Sequence, residues 1–144
     1  MVRRLDVALL IACLGAGAVV AVPRHSRYAT EARVAEVNAL SRASASAVQL
    51  AHTRWLAAGQ PATIDGARGL VAMTQGYPST ATLPLMLAAA ETAAFSYEDG
   101  VWRHRGPRTA TLPRSGIAQR CGVHYQPPAV AGQDPALAAD TSGC

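Results

Sequence analysis

Residues 24–61 run RHSRYATEARVAEVNALSRASASAVQLAHTRWLAAGQP, and the fold turns on how they are read. No proline or glycine interrupts positions 24–58. Val34, Val37, Val48, Ala51 and Trp55 recur at helical spacing, with Ser44 in the gap and Leu40 flanking the stripe. Arg33, Glu36, Arg42 and Gln49 fall mostly off it. Gly59 followed by Pro61 is a helix stop: a residue at ease in the left-handed region, then one that cannot continue the hydrogen-bond ladder. This is an amphipathic helix with one face to bury.

Upstream, Arg3 and Arg4 precede an apolar or small run over residues 7–22. Sixteen residues of helix span about 24 Å, slightly less than a ~30 Å hydrocarbon core. Three readings fit. Ala16-Gly17-Ala18 matches the small-x-small pattern of a cleaved secretory signal. Leu10-Ile11-Ala12-Cys13 has the look of a lipoprotein signal, although the apolar stretch before Cys13 is short. The third reading keeps the run as a permanent anchor. The amphipathic stretch behind it favours the anchor, because a removable signal has no need of a continuous helix. The two segments join as one long helix, interrupted only around Pro23. Gly15, Gly17 and Pro23 make that region soft, since glycine costs about 1 kcal/mol per helical position and proline removes a backbone hydrogen bond.

Downstream the grammar changes to short elements. Residues 63–73 predict a weak hairpin around Asp65-Gly66, and residues 84–94 a short alanine-rich helix with Pro84 in its first turn. The clearest strand signal is 95–105 around Asp99-Gly100, a favoured two-residue turn. In that register Tyr97 faces Trp102 and Phe95 faces His104 on a core side, while Ser96, Glu98, Arg103 and Arg105 fall on a wet one. Another strand is expected over 117–125, with Cys121, Val123 and Tyr125 on a common face. The proline-, glycine- and alanine-rich tail from Gln126 reads as loop closed by Cys144. Val48, Ala51 and Trp55 are expected to face Phe95, Tyr97, Trp102, Val123 and Tyr125.

Composition narrows the function classes. At 144 residues, with 5% aromatic side chains, the chain buries many small groups and few large ones, so a covalent staple helps. All 13 basic residues are arginine and the net charge is +4, yet the arginines are scattered without aromatic interleaving, which does not predict specific nucleic-acid binding. The three cysteines are Cys13, Cys121 and Cys144. A late pair in an exported chain points to a disulfide, which at this spacing is worth about 3 kcal/mol on the chain-entropy model. Cys121 with His124 lacks the second ligand pair of a zinc site. His25, His52, His104 and His124 are isolated in the sequence, the acidic residues are dispersed, and no glycine-rich phosphate loop is present. No enzyme, cofactor or metal is expected. Asp6, at the edge of the apolar run, allows two readings: a carboxylate held in the cytoplasmic interface beside Arg3 and Arg4, or a partner for a positive group on a neighbouring chain.

With these residues in place the arrangement resembles the type IV pilin family, including type II secretion pseudopilins. The similarity is carried by Leu10-Ile11-Ala12-Cys13-Leu14-Gly15 and Ala18-Val19-Val20-Ala21-Val22-Pro23-Arg24, an apolar helix with a glycine and then a proline-plus-basic pair. It continues through Glu31-Ala32-Arg33-Val34-Ala35-Glu36-Val37-Asn38-Ala39-Leu40 and Ala51-His52-Thr53-Arg54-Trp55-Leu56. Gly76-Tyr77-Pro78, Cys121-Gly122-Val123-His124-Tyr125 and Asp140-Thr141-Ser142-Gly143-Cys144 most resemble pilins of the mannose-sensitive-haemagglutinin type. The front departs from the family's processing motif. Met1 stands for its glycine, Val2 for the usual phenylalanine, Arg3 and Arg4 for threonine and leucine, and Asp6 for glutamate.

What the resemblance implies is an α+β, pilin-like fold in which a long N-terminal helix packs on a small antiparallel sheet. Its parts are a membrane and assembly helix (1–23), an amphipathic continuation (24–59) and an extracytoplasmic β-rich part (60–144) closed by Cys121 and Cys144. It implies a structural subunit whose N-terminal helices self-associate, alongside other pilins and the inner-membrane assembly machinery. Asp6 would pair with a neighbour's N-terminal amine, residues 15–23 between Gly15 and Pro23 would loosen on extraction, and Met1 and Val2 would flank a processing and N-methylation site. The expected place is the bacterial inner membrane with the C-terminal part in the periplasm, or the cell exterior once assembled. The rival expectation is a monomeric, membrane-tethered or secreted binding module.

Overall fold

The structure is a computed structural model that describes the backbone of residues 4–106 and 120–144, and side chains from residue 27 onward within them. The chain divides into two compact units, Met1–Ala32 and Arg33–Cys144. All packing below belongs to the second.

One helix, α1 (Arg4–Ala57), accounts for the first third of the chain. Its backbone stays helical across residue 23, so the interruption expected there is absent. A proline removes one hydrogen bond, and the turns on either side keep theirs. Among the described residues no helix is long and apolar enough to cross a membrane. The apolar run at 7–22 lies outside the residues whose side chains are described. The helix ends where the stop signal lies, with Gly59 at φ 80°.

The buried stripe of α1 is Val37, Leu40, Ser44, Ala47, Val48 and Ala51. Apart from the adjacent pair Ala47 and Val48, these positions advance in steps of three and four, as one helix face requires. Leu40 is therefore at the centre of the stripe rather than beside it, 2% exposed, whereas Val34 is only half-buried.

Two antiparallel sheets cover this face. The first comprises β1 (Thr63–Asp65), β2 (Leu70–Thr74) and β3 (Tyr77–Pro78) in that order. The expected β1–β2 hairpin is present, closed by Gly66 N–H donating to Gly69 O at 2.9 Å. β3 has no counterpart in the sequence reading. It is two residues long, too short for periodicity to reveal, and follows a turn at Gln75 and Gly76 (φ 53° and 88°).

The second sheet has order β4-β5-β6-β7, comprising β4 (Phe95–Glu98), β5 (Val101–His104), β6 (Gly122–Gln126) and β7 (Ala136–Asp140). Tyr97 pairs with Trp102 and Phe95 with His104, the register expected from Asp99-Gly100. Phe95, Trp102 and His104 are buried, as are Cys121, Val123 and Tyr125. A Cβ on Gly122 would sit 1.9 Å from Trp102 O, so only glycine lets β6 approach β5 this closely. Residues 117–119 of the expected strand lie outside the described residues.

Two further expectations are corrected. The tail is not all loop, because β7 pairs with β6 along five residues from Gly122↔Asp140 to Gln126↔Ala136. Ala-Leu-Ala-Ala-Asp has poor strand propensity, and its conformation is imposed by its neighbour. The helix expected over 84–94 is instead a 3-10 turn (Leu83–Met86) and one α-helical turn, α2 (Ala89–Thr92). Arg68 N–H donates to Leu85 O at 2.9 Å, engaging a carbonyl that a continuous helix would direct to residue 89. Glu91 Oε2 accepts from Ala88 N–H at 2.8 Å and restarts the helix there.

Val37, Leu40, Ala47 and Ala51 of α1 share one core cluster with Phe95, Trp102 and Val123 of the four-stranded sheet and with Ile64 and Val71 of the first. Val48 clusters with Tyr77, Leu83 and Tyr125. This is an α+β fold with one long helix packed on small antiparallel sheets.

Candidate functional site

Of the residues assigned assembly roles, Asp6, Gly15 and Pro23 lie in the part of α1 whose side chains are outside the described residues. Met1 and Val2, at the expected processing site, lie outside them altogether. The described candidates all belong to the globular unit.

At the C terminus Cys121 and Cys144 are bonded, with Cα atoms 4.8 Å apart. Backbone bonds reinforce the closure, with Gly143 N–H donating to Arg120 O at 2.9 Å. Asp140 caps the same turn, accepting from Ser142 Oγ at 2.7 Å and Ser142 N–H at 3.0 Å. These two bonds hold the Asp140 carboxyl below the ordinary carboxylate range.

Two histidines that are isolated in sequence are not isolated in space. His104, 8% exposed, sits with Nε2 2.5 Å from Glu36 Oε2, and Nδ1 accepts from Gly106 N–H at 3.0 Å. His52 Nδ1 donates to Gly76 O at 2.7 Å. Its ring stacks on Tyr77, with centroids 4.4 Å apart and planes inclined by 10°, and lies 5.8 Å from the ring of Trp55. His124 is exposed on β6, and the side chain of His25 is outside the described residues. Among the described residues no group of three His, Cys, Asp or Glu side chains comes together as metal ligands would.

His52, Trp55 and Tyr77 form one side of an open cleft of about 540 Å³. Trp55 packs against the core cluster that holds Phe95, Trp102 and Val123. Its indole N–H donates to Pro61 O at 2.9 Å, and its ring edge lies over Gly76, where a Cβ would come within 2.9 Å of Trp55 Cζ3. It stands one helical turn past Ala51, and the Gly59–Pro61 reversal folds the chain back over it. Gln60, Gln75 and Gln133 complete the rim from three separate loops. Beside the cleft, Tyr77 Oη donates to Asp134 Oδ1 at 3.3 Å. Burial and then the Asp134 carboxylate raise the Tyr77 pKa.

The contacts His104–Glu36, His52–Gly76 and Tyr77–Asp134 are not visible in the sequence, because each joins residues far apart in the chain. One local signal was available. Gln75-Gly76, between Met73-Thr74 and Tyr77-Pro78, suits a two-residue turn, which places Tyr77 beside β2.

No family model, curated protein or solved structure matches this chain.

Proposed function

We propose that this protein is a structural, non-enzymatic subunit of a type IV pilus or type II secretion pseudopilus. The observation that carries the reading is the single helix Arg4–Ala57. It joins an apolar run at residues 7–22 to an amphipathic half that packs on antiparallel sheets. In such a subunit the apolar halves of many copies bundle into the filament core, driven by burial of their surface. The globular part faces outward, with its C terminus stapled by Cys121–Cys144. Before assembly the apolar half would rest in the inner membrane, with the globular part in the periplasm. Its partners would be further copies, other pilins and the assembly machinery.

The test is the N-terminal residue and intact mass of protein recovered from cells without reductant, followed by electron microscopy of shed material. A chain beginning at Val2, carrying an N-methyl group and found in filaments, is the expected result. Asp6→Ala should then reduce filament yield, since the carboxylate no longer pairs with a neighbour's terminal amine. A chain beginning at Val19 would overturn the reading, because the bundling helix would be gone. A second reading, a monomeric tethered or secreted binding module, is favoured by the open cleft beside His52 and Trp55. It predicts no filaments.

A further inference from the structure

We propose that β7, with Cys144 beyond its end, is an exchangeable strand whose other acceptor is a second copy of this chain. Where copies are crowded, β7 of one pairs with β6 of the other, and each Cys144 bonds the other chain's Cys121. The product is a strand-swapped dimer held by two disulfides. The first support is the set of contacts that closes the C terminus. β7 pairs with β6 from Gly122↔Asp140 to Gln126↔Ala136, Gly143 N–H donates to Arg120 O, and Cys121 bonds Cys144. All of these join residues 120–126 to residues 136–144, and a second copy offers every one of them with the same local geometry.

The second support is the contrast between the two strands. Ala136, Ala138 and Ala139 of β7 are exposed, and half-buried Leu137 is the β7 side chain that packs on the core clusters. Alanine and leucine prefer helix, so β7 is extended because β6 is beside it. β6 is the opposite case. Val123 and Tyr125 are strand formers with buried side chains. With β7 lifted away, β6 presents a row of unpaired N–H and C=O groups, a template for another strand.

The third support is the connection. Residues 127–135 include Pro127, Pro128 and Pro135, and residues 129–134 are exposed. Buried Pro128 and the 3.3 Å bond from Tyr77 Oη to Asp134 Oδ1 keep the loop folded back. Straightened, residues 127–135 reach about 30 Å, enough to carry β7 to a neighbouring copy. A short tether gives β7 an effective concentration of roughly 1 mM beside its own β6. The closed hairpin therefore dominates in dilute solution, and exchange takes over as copies approach that concentration. The staple must open and reclose. A small-molecule thiolate attacks the Sγ of half-buried Cys144, forming a mixed disulfide there and freeing the buried Cys121 as a thiolate. Once the strands have exchanged, each Cys121 thiolate attacks Cys144 Sγ of the other chain and expels the small thiolate. Two disulfides within chains become two between chains, with no net oxidation. The inference concerns the C-terminal hairpin and does not depend on whether the chain assembles into filaments.

The experiment uses the full chain carrying Cys13→Ser, in detergent with a glutathione redox pair, at about 10 µM and about 1 mM, below and near the effective concentration. Free thiols are alkylated and the chain is cut with trypsin after Arg120. No Lys or Arg lies between Cys121 and Cys144, so both cysteines stay on fragment 121–144. The closed hairpin gives that fragment at its single mass, and the swapped dimer gives it at twice that mass. Association through the apolar run does not affect this readout. Chymotrypsin then cuts after Tyr125 and separates the two cysteines, so the pieces joined in the doubled fragment show which cysteines are bonded. The doubled share should rise at least about tenfold between the two concentrations, with Cys121 bonded to Cys144. Deleting residues 129–133 leaves Pro127, Pro128, Asp134 and Pro135 as the loop, and three fixed φ angles keep that loop from reversing. The doubled fragment should then be the main product at both concentrations. A single-mass fragment at both concentrations in the full-length loop overturns the proposal. So does a doubled fragment with Cys121 bonded to Cys121, or a shortened chain whose staple still closes within one chain.

Discussion

His104 on β5 and Glu36 on α1 meet across 68 positions of sequence, imidazole Nε2 to carboxylate oxygen at 2.5 Å. A carboxylate only accepts, so Nε2 carries the hydrogen, while Nδ1 accepts from Gly106 N–H. One neutral tautomer therefore satisfies both ring nitrogens. The contact ties the first described turns of the globular unit's helix to its four-stranded sheet, next to the Phe95 ring, whose centroid is 5.2 Å from that of His104.

Glu36→Ala should destabilise the protein by about 1–2 kcal/mol, because it leaves a buried imidazole N–H without an acceptor. Glu36→Gln, whose amide oxygen still accepts, should recover most of the loss. Urea denaturation of the intact chain in detergent measures both. Equal stability of the alanine variant and the wild type would show that the imidazole finds another acceptor.

The staple at the other end acts on the unfolded chain as well as the folded one. Cys121 and Cys144 close a loop of 23 positions, for which the chain-entropy model gives about 3 kcal/mol. Cys144→Ser should lower stability by roughly that amount. It should also release β7, whose only partner among the described strands is β6. Amide exchange at Ala138 and Ala139 should then quicken well before exchange at Trp102. Uniform quickening throughout the sheet would instead mean that β7 and the rest open together.

Why part of this was legible in sequence and part was not follows from where the information lies. Phe95–His104 could be placed to the residue because Asp99-Gly100 fixes the turn and the alternation around it fixes the faces. The end of α1 was equally clear, since Gly59 and Pro61 act locally. β7 was hidden because alanine and leucine prefer helix, and only pairing with β6, closed by the disulfide, makes the segment extended. The cleft was the least accessible. Trp55 sits on the helical stripe and reads as core, His52 reads as solitary, and Gln133 lies in a tail that reads as loop. Their meeting depends on Gly76 passing under two rings, a close approach that no periodicity encodes.

Ser44 is fully buried at the centre of the stripe, and its hydroxyl has no hydrogen-bond partner among the described residues. A buried hydroxyl in that state opposes folding, and alanine is the better helix former. Ser44→Ala should therefore stabilise the protein by about 0.5–1.5 kcal/mol, read as a raised melting temperature. A loss of stability of that size would mean that the hydroxyl is satisfied and that the interior around it is polar.

Two tyrosine hydroxyls from the four-stranded sheet are bonded to carbonyls of the segment that follows β2. Tyr125 Oη donates to Pro78 O at 2.7 Å, and Tyr97 Oη to Thr80 O. Burial, then the Asp99 carboxylate, push the Tyr97 pKa up to about 12. Burial, then the neighbouring Tyr97 and Tyr77, raise that of Tyr125 as well. In the unfolded chain both phenols ionise near pH 10. Above that value the unfolded state has released protons that the native state still holds, so stability falls as pH rises. The contribution is fully present below about pH 10 and is lost progressively toward pH 12. An ionised phenolate also cannot donate to Pro78 O or Thr80 O, so the two sheets should separate as these groups titrate. Phenolate absorbance and far-ultraviolet circular dichroism, followed together from pH 9 to 13, should show late tyrosine ionisation coinciding with loss of structure. Tyr125→Phe should lower stability at neutral pH by about 1 kcal/mol and flatten part of the alkaline slope. Smooth ionisation near pH 10 without unfolding would show that these hydroxyls are open to solvent.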